Sequence, residues 1–128
     1  MYILNLEDDV YKHHDICKAL EHGGLGKLTI DCVRNLEDGI ELIKKNLEEQ
    51  PYDLIITDMW YPEKPGGEEV ASGEKLIQSV KENGWNIPVI LCSSVSYRFP
   101  EILGSVYYSE KEDWENEMVN LIKRIKKK

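Results

Sequence analysis

The chain has 128 residues, enough for one domain with a sizeable core, and 41% of them are hydrophobic, which excludes a disordered polypeptide. Its formal net charge of −8 argues against nonspecific binding to nucleic acid or to an anionic membrane surface. No apolar run approaches the roughly 18 residues of a membrane span, and the opening residues meet acids at once, unlike a signal peptide. Cys17, Cys32 and Cys92 are odd in number, unrelated in spacing and set in apolar stretches. They read as reduced, buried thiols in a cytoplasmic protein. The basic cluster is the tail Lys123-Arg124-Ile125-Lys126-Lys127-Lys128, where lysines complement the dipole of a last helix.

Along the chain, short apolar runs alternate with amphipathic stretches. Ile3-Leu4-Asn5-Leu6 predicts a strand that stops at Glu7-Asp8-Asp9. Val10, Ile16, Cys17, Ala19 and Leu20 recur at helical spacing, and Gly23-Gly24 ends that helix. Residues 27–33 alternate Leu28, Ile30 and Cys32 with polar neighbours, as a less deeply buried strand does. Leu36, Ile40, Ile43 and Leu47 mark a second helix that ends before Pro51. Asp53-Leu54-Ile55-Ile56-Thr57 is nearly continuous in apolar residues, the pattern of a central parallel strand covered on both faces, and Asp58 follows.

A Pro/Gly/Glu-rich loop spans residues 59–72, followed by a helix with Leu76, Ile77 and Val80 on its buried face. Pro88-Val89-Ile90-Leu91-Cys92 is a fourth strand ending at Ser93-Ser94. Residues 99–103 are poorly periodic and predict a shortened fourth helix. Val106-Tyr107-Tyr108 is the last strand, with one tyrosine facing inward and the other outward. Trp114, Met118, Leu121, Ile122 and Ile125 carry the final helix. This alternation predicts one α/β domain over residues 1–128, a five-stranded parallel sheet with helices on both faces.

Ligands of an open parallel sheet bind outside the carboxyl ends of its strands. Here those ends carry Glu7, Asp8 and Asp9 after the first strand, Asp58 after the third and Ser93 after the fourth. Carboxylates gathered at one edge repel one another, so a hard divalent cation is their natural partner, and magnesium takes such oxygen ligands. An aspartate beside that ion can attack a phosphoryl group, with a serine hydroxyl donating to a phosphoryl oxygen.

The chain resembles, over essentially its whole length, the response-regulator receiver family of two-component signalling. Glu7 and Asp8 match the family's acidic pair. Tyr52-Asp53-Leu54-Ile55-Ile56-Thr57-Asp58-Met59-Trp60-Tyr61-Pro62 resembles its phospho-acceptor segment, with Pro62 four residues after Asp58. Pro88-Val89-Ile90-Leu91-Cys92-Ser93-Ser94 resembles its fourth strand. The resemblance implies the flavodoxin-like strand order 2-1-3-4-5 and Asp58 as phospho-acceptor. It implies Mg2+ held by Glu7, Asp8, Asp58 and the backbone carbonyl of Trp60, and Ser93 at the hydroxyl position. A sensor histidine kinase would be the donor and an unidentified downstream protein the target, on a monomer or weak dimer that contacts neither nucleic acid nor membrane. Such a domain is a switch, not an enzyme acting on a separate substrate.

Two departures stand out. The matching helix-starting glycine is Gly73, so the loop over residues 63–72 is about seven residues longer than usual and is either a lid, a partner contact or a neutral insertion. At strand five the family carries a lysine, usually followed by proline. Counting seven positions on from Gly104 gives Lys111 and puts Tyr108 at the switch aromatic. Ser109-Glu110-Lys111-Glu112 also reads as a helix capping box that would turn Lys111 to solvent, and both readings stand.

Those departures sustain an alternative, a degenerate receiver that binds partners without phosphorylation. A flavin carrier of the same fold would need a hydroxyl- and glycine-rich loop in place of Glu7-Asp8-Asp9. A hydrolase with Asp58 as nucleophile would want an acid where Trp60 stands. His13 and Cys17 have the i, i+4 spacing of a metal pair but no evident fourth ligand for zinc.

Overall fold

In the computed structural model residues 1–125 are described; Lys126, Lys127 and Lys128, the end of the basic tail, lie outside them. In chain order the first half comprises β1 (Tyr2–Leu6), α1 (Val10–Glu21), β2 (Thr29–Val33), α2 (Leu36–Asn46) and β3 (Leu54–Thr57). A small hairpin of β4 (Tyr61–Pro62) and β5 (Glu69–Val70) follows, then α3 (Ser72–Glu82), β6 (Val89–Ser93), β7 (Gly104–Tyr107) and α4 (Trp114–Lys123).

The main sheet runs β2-β1-β3-β6-β7 with every pairing parallel. Counting only its own strands, this is the expected 2-1-3-4-5 order. The two-residue period of its strands sorts side chains to two faces. Ile3, Leu54, Ile56, Ile90 and Cys92 pack with Ile16 and Leu20 of α1 and with Trp114, Met118 and Ile122 of α4. Leu4, Leu6, Ile55 and Val89 pack on the other side with Leu36 and Ile43 of α2 and Leu76 and Ile77 of α3. The run Leu54–Thr57, apolar but for Thr57, is fully buried, as its central position requires. β2 lies at the sheet edge and Cys32 on it is exposed, while Cys17 on α1 is half-buried. Of the three thiols expected inside, only Cys92 is buried.

The fourth crossover holds no helix. Residues 99–103 make a turn, with the Ile102 N–H 3.4 Å from the Phe99 carbonyl. Pro100 has no N–H to donate, and Gly104 already begins β7, so no amphipathic turn can repeat. Phe99 and Ile102 still pack onto the α2–α3 side in its place. Among the described residues, no helix is long and apolar enough to cross a membrane.

The long loop is partly ordered as the β4–β5 hairpin, closed by a turn in which Gly66 has φ of 76° and the Gly67 N–H donates to Lys64 O at 3.0 Å. Tyr61, the first residue of that hairpin, is wholly buried, and its hydroxyl meets Thr57 Oγ1 at 2.9 Å. The hairpin returns the chain to α3 so closely that Gly73 N–H donates to Met59 O at 2.9 Å. A Cβ at Gly73 would collide with the Asp58 carbonyl oxygen and lie 2.8 Å from Met59 Cα. Because both are backbone atoms, Gly73→Ala should cost about 1–3 kcal/mol. A urea denaturation midpoint indistinguishable from wild type would contradict that close approach.

Candidate functional site

The carboxyl edge of the sheet brings Glu7, Asp8 and Asp58 together, with one oxygen of each within 4.8 Å of the others. β1 delivers the pair because its ladder continues one step past Leu6: the Glu7 N–H donates to Val33 O at 3.0 Å and the Asp58 N–H to Leu6 O at 3.0 Å. Glu7 is 2% exposed, Asp8 and Asp58 half-buried. Asp9 turns the other way and caps α1, accepting from the Tyr11 and Lys12 N–H groups at 3.0 and 3.3 Å.

A fourth charged group completes the cluster. Lys12 is only 5% exposed. Its Nζ donates to Cys92 O at 2.7 Å and lies 3.0 Å from Glu7 Oε1 and 3.2 Å from Asp58 Oδ1. The same Asp58 oxygen accepts the Met59 N–H at 2.7 Å. Burial pushes the Glu7 carboxyl up to about 7, with Lys12 opposing that rise and Asp58 adding to it. Burial draws the Lys12 ammonium down, but Glu7 and Asp58 outweigh it, leaving Lys12 protonated and above its ordinary value.

Lys12 was not among the residues singled out from sequence. The signal was present: Lys12, Ile16 and Ala19 lie four and three residues apart, on one helical face. Val10, read there as apolar contact, is instead 55% exposed.

Three carboxylates against one ammonium leave two negative charges unmatched when all are ionised. Glu7 Oε1 is buried without a hydrogen-bond donor, its ammonium neighbour lying outside hydrogen-bond alignment. An all-oxygen donor set with a surplus of two charges and one orphaned buried oxygen fits a hard divalent cation. The hairpin adds Glu69, whose carboxyl is raised by a hydrogen bond and charge repulsion from Asp8.

Ser93 ends β6, 3% exposed, with Oγ accepting the Val95 N–H at 3.3 Å and its carbonyl accepting the Tyr108 N–H at 2.8 Å. Trp60 is 46% exposed at the head of the hairpin, its indole N–H donating to the Tyr97 hydroxyl at 2.8 Å. Lys111 is not brought to the cluster. It is exposed on the turn after β7, its N–H 3.3 Å from Ser109 Oγ, and no ion pair to it occurs among the described residues. Nor is Ser109 a helix cap, since α4 starts only at Trp114. His13 is committed elsewhere. Asn5 Nδ2 donates to Ile56 O at 2.9 Å, so Asn5 Oδ1 must accept the His13 Nδ1–H at 2.6 Å. No metal cluster includes it among the described residues.

No family model matches the sequence, and no curated protein matches it either. Solved structures do. The chain is similar to a DNA-binding response regulator of the LuxR family from Staphylococcus aureus, at 16% identity and TM-score 0.70, covering 97% of each chain. It is similar to the Mn2+-bound response regulator Rcp1, at 16% identity and TM-score 0.68, over 95% of this chain and 91% of that one. The phosphorylated cyanobacterial phytochrome response regulator RcpA matches at 17% identity and TM-score 0.70, over 95% and 90%. The chain therefore has the fold of response-regulator receiver domains.

The capping geometry is testable apart from any ligand. Asp9→Ala should cost about 1 kcal/mol by removing the cap, whereas Asp9→Asn should lose little. Equal losses in both, by urea denaturation, would show that the charge and not the cap is what matters.

Proposed function

We propose that this receiver-fold domain is a phospho-acceptor switch, with Asp58 taking up a phosphoryl group from a sensor histidine kinase. The observation that carries the reading is the convergence of Glu7, Asp8 and Asp58 at the carboxyl edge of the sheet, with one oxygen of each within 4.8 Å of the others and Glu7 almost wholly buried. Glu7, Asp8, Asp58 and the Trp60 carbonyl would hold Mg2+. When bound, that ion supplies positive charge to the oxygens of the transferred group.

The protein's own residues account for the rest. The Met59 N–H and Lys12 both meet Asp58 Oδ1, which orients the carboxylate and leaves Oδ2 to attack. Ser93, at the end of the neighbouring strand, is the hydroxyl nearest in role for a phosphoryl oxygen once its Val95 contact is released. Tyr108 joins the fifth strand to Ser93 and carries the change outward, toward a downstream protein that reads the surface around β7 and α4. The domain works in the cytoplasm as a monomer or weak dimer and makes no direct contact with nucleic acid.

One observation favours the second reading, a receiver that binds its partner without phosphorylation. Lys111 stands exposed on its turn, so the end of β7 contributes no ammonium beside Asp58.

Trp60 provides the test. With magnesium and beryllofluoride, its fluorescence should change in the wild type and stay constant in Asp58→Asn, and magnesium alone should bind at millimolar concentration. A wild type that neither binds magnesium nor responds would leave the phosphorylation-independent reading in its place.

A further inference from the structure

We propose that Lys12, in the first turn of α1, is the cation that holds the phosphoryl group on Asp58. The proposal rests on the acceptor reading and supplies the charge that Lys111 does not. An ammonium has three N–H donors. One is spent on Cys92 O at 2.7 Å, the only one of the three contacts aligned as a hydrogen bond. The other two face Glu7 Oε1 at 3.0 Å and Asp58 Oδ1 at 3.2 Å as ion-pair contacts, free to realign on new oxygens.

Three further features fit that role. The stem of Lys12 is buried along the same stripe as Ile16, so its ammonium is held in place and is not a solvated charge that happens to lie near. Among the described residues, no other ion pair reaches Asp58. The Nζ also lies 5.4 Å from the centre of the Tyr108 ring, whose hydroxyl donates to Asp15 Oδ2 at 2.6 Å. Movement of the ammonium toward a phosphoryl group would therefore be felt by an aromatic side chain between α1 and α4.

The transfer balances with an acyl phosphate as donor. Asp58 forms the new oxygen–phosphorus bond while the bond from phosphorus to the acyl oxygen breaks. A carboxylate leaves with that electron pair, and no net proton moves. The charge carried on Asp58 grows from one to about two. The Lys12 ammonium, 3.2 Å from Asp58 Oδ1, faces that added charge directly.

The experiment pairs Lys12→Gln with a measurement on the unaltered protein. Phosphorylation by acetyl phosphate with magnesium, followed by intact mass, should be about 10- to 100-fold slower in Lys12→Gln than in wild type. Asp58→Asn should give none. Wild-type rates in a folded Lys12→Gln would overturn the assignment to Lys12 and leave the acceptor reading intact. No adduct on the wild type would overturn both. Should Lys12→Gln not fold, the Lys12 ammonium nitrogen resonance of the wild type decides. It should shift when beryllofluoride is added, and constancy while Trp60 reports binding would refute the proposal.

Discussion

The Lys12 ammonium, enclosed by Glu7, Asp58 and the carbonyl of Cys92, is the interaction on which the carboxyl edge of this sheet depends. Three strands contribute to that one point: β1 through Glu7, β3 through Asp58 and β6 through Cys92. Each of those groups is costly there alone. Glu7 is almost wholly buried, and its carboxyl is raised by burial even with the ammonium alongside. Removing one partner from such a buried pair typically costs about 3–5 kcal/mol, because the remaining charge is stranded. The ammonium thus makes an acidic edge compatible with a folded sheet, while offsetting only one of its three carboxylate charges.

The position of Lys12 follows from ordinary local rules. Asp9 caps α1 and starts it immediately after the acidic pair, so the first turn of the helix lies directly over the strand ends. A side chain in that turn, on the face shared with Ile16, points back toward the helix N-terminus and the sheet edge. A lysine there reaches the carboxylates. An aliphatic residue of similar length would leave Glu7 without any counter-charge.

The inserted hairpin shapes the opposite wall. It lifts Trp60 to the surface, where it meets Tyr97 from the fourth crossover, and it sets Glu69 against Asp8. It also buttresses the second helix, since the Glu37 N–H donates to Glu63 O at 2.9 Å. The crossover that lacks a helix, residues 94–103, and the hairpin therefore flank the same mouth. Both segments depart from regular α/β crossovers, and they are joined by the hydrogen bond from Trp60 to Tyr97.

The α/β alternation, the central strand Leu54–Thr57 and the residues Glu7, Asp8, Asp58 and Ser93 at strand ends were legible in the sequence, because burial periodicity is a local property of the chain. Strand order followed from the resemblance and agrees with the observed pairing. The hairpin within residues 59–72 was not legible: its strands are two residues each, too short for any period to show. The turn at residues 99–103 was half-visible as weak periodicity around Pro100. Lys111 and Lys12 mark the boundary most clearly. Counting along the chain offered Lys111, which tertiary structure leaves on an exposed turn. Lys12 reads locally as a lysine on the apolar face of an amphipathic helix, with no indication of what it meets there. Its ion pairs with Glu7 and Asp58 join residues five and forty-six positions apart. Which lysine meets the acids is decided by how a helix packs on a sheet, a distance that no local pattern encodes.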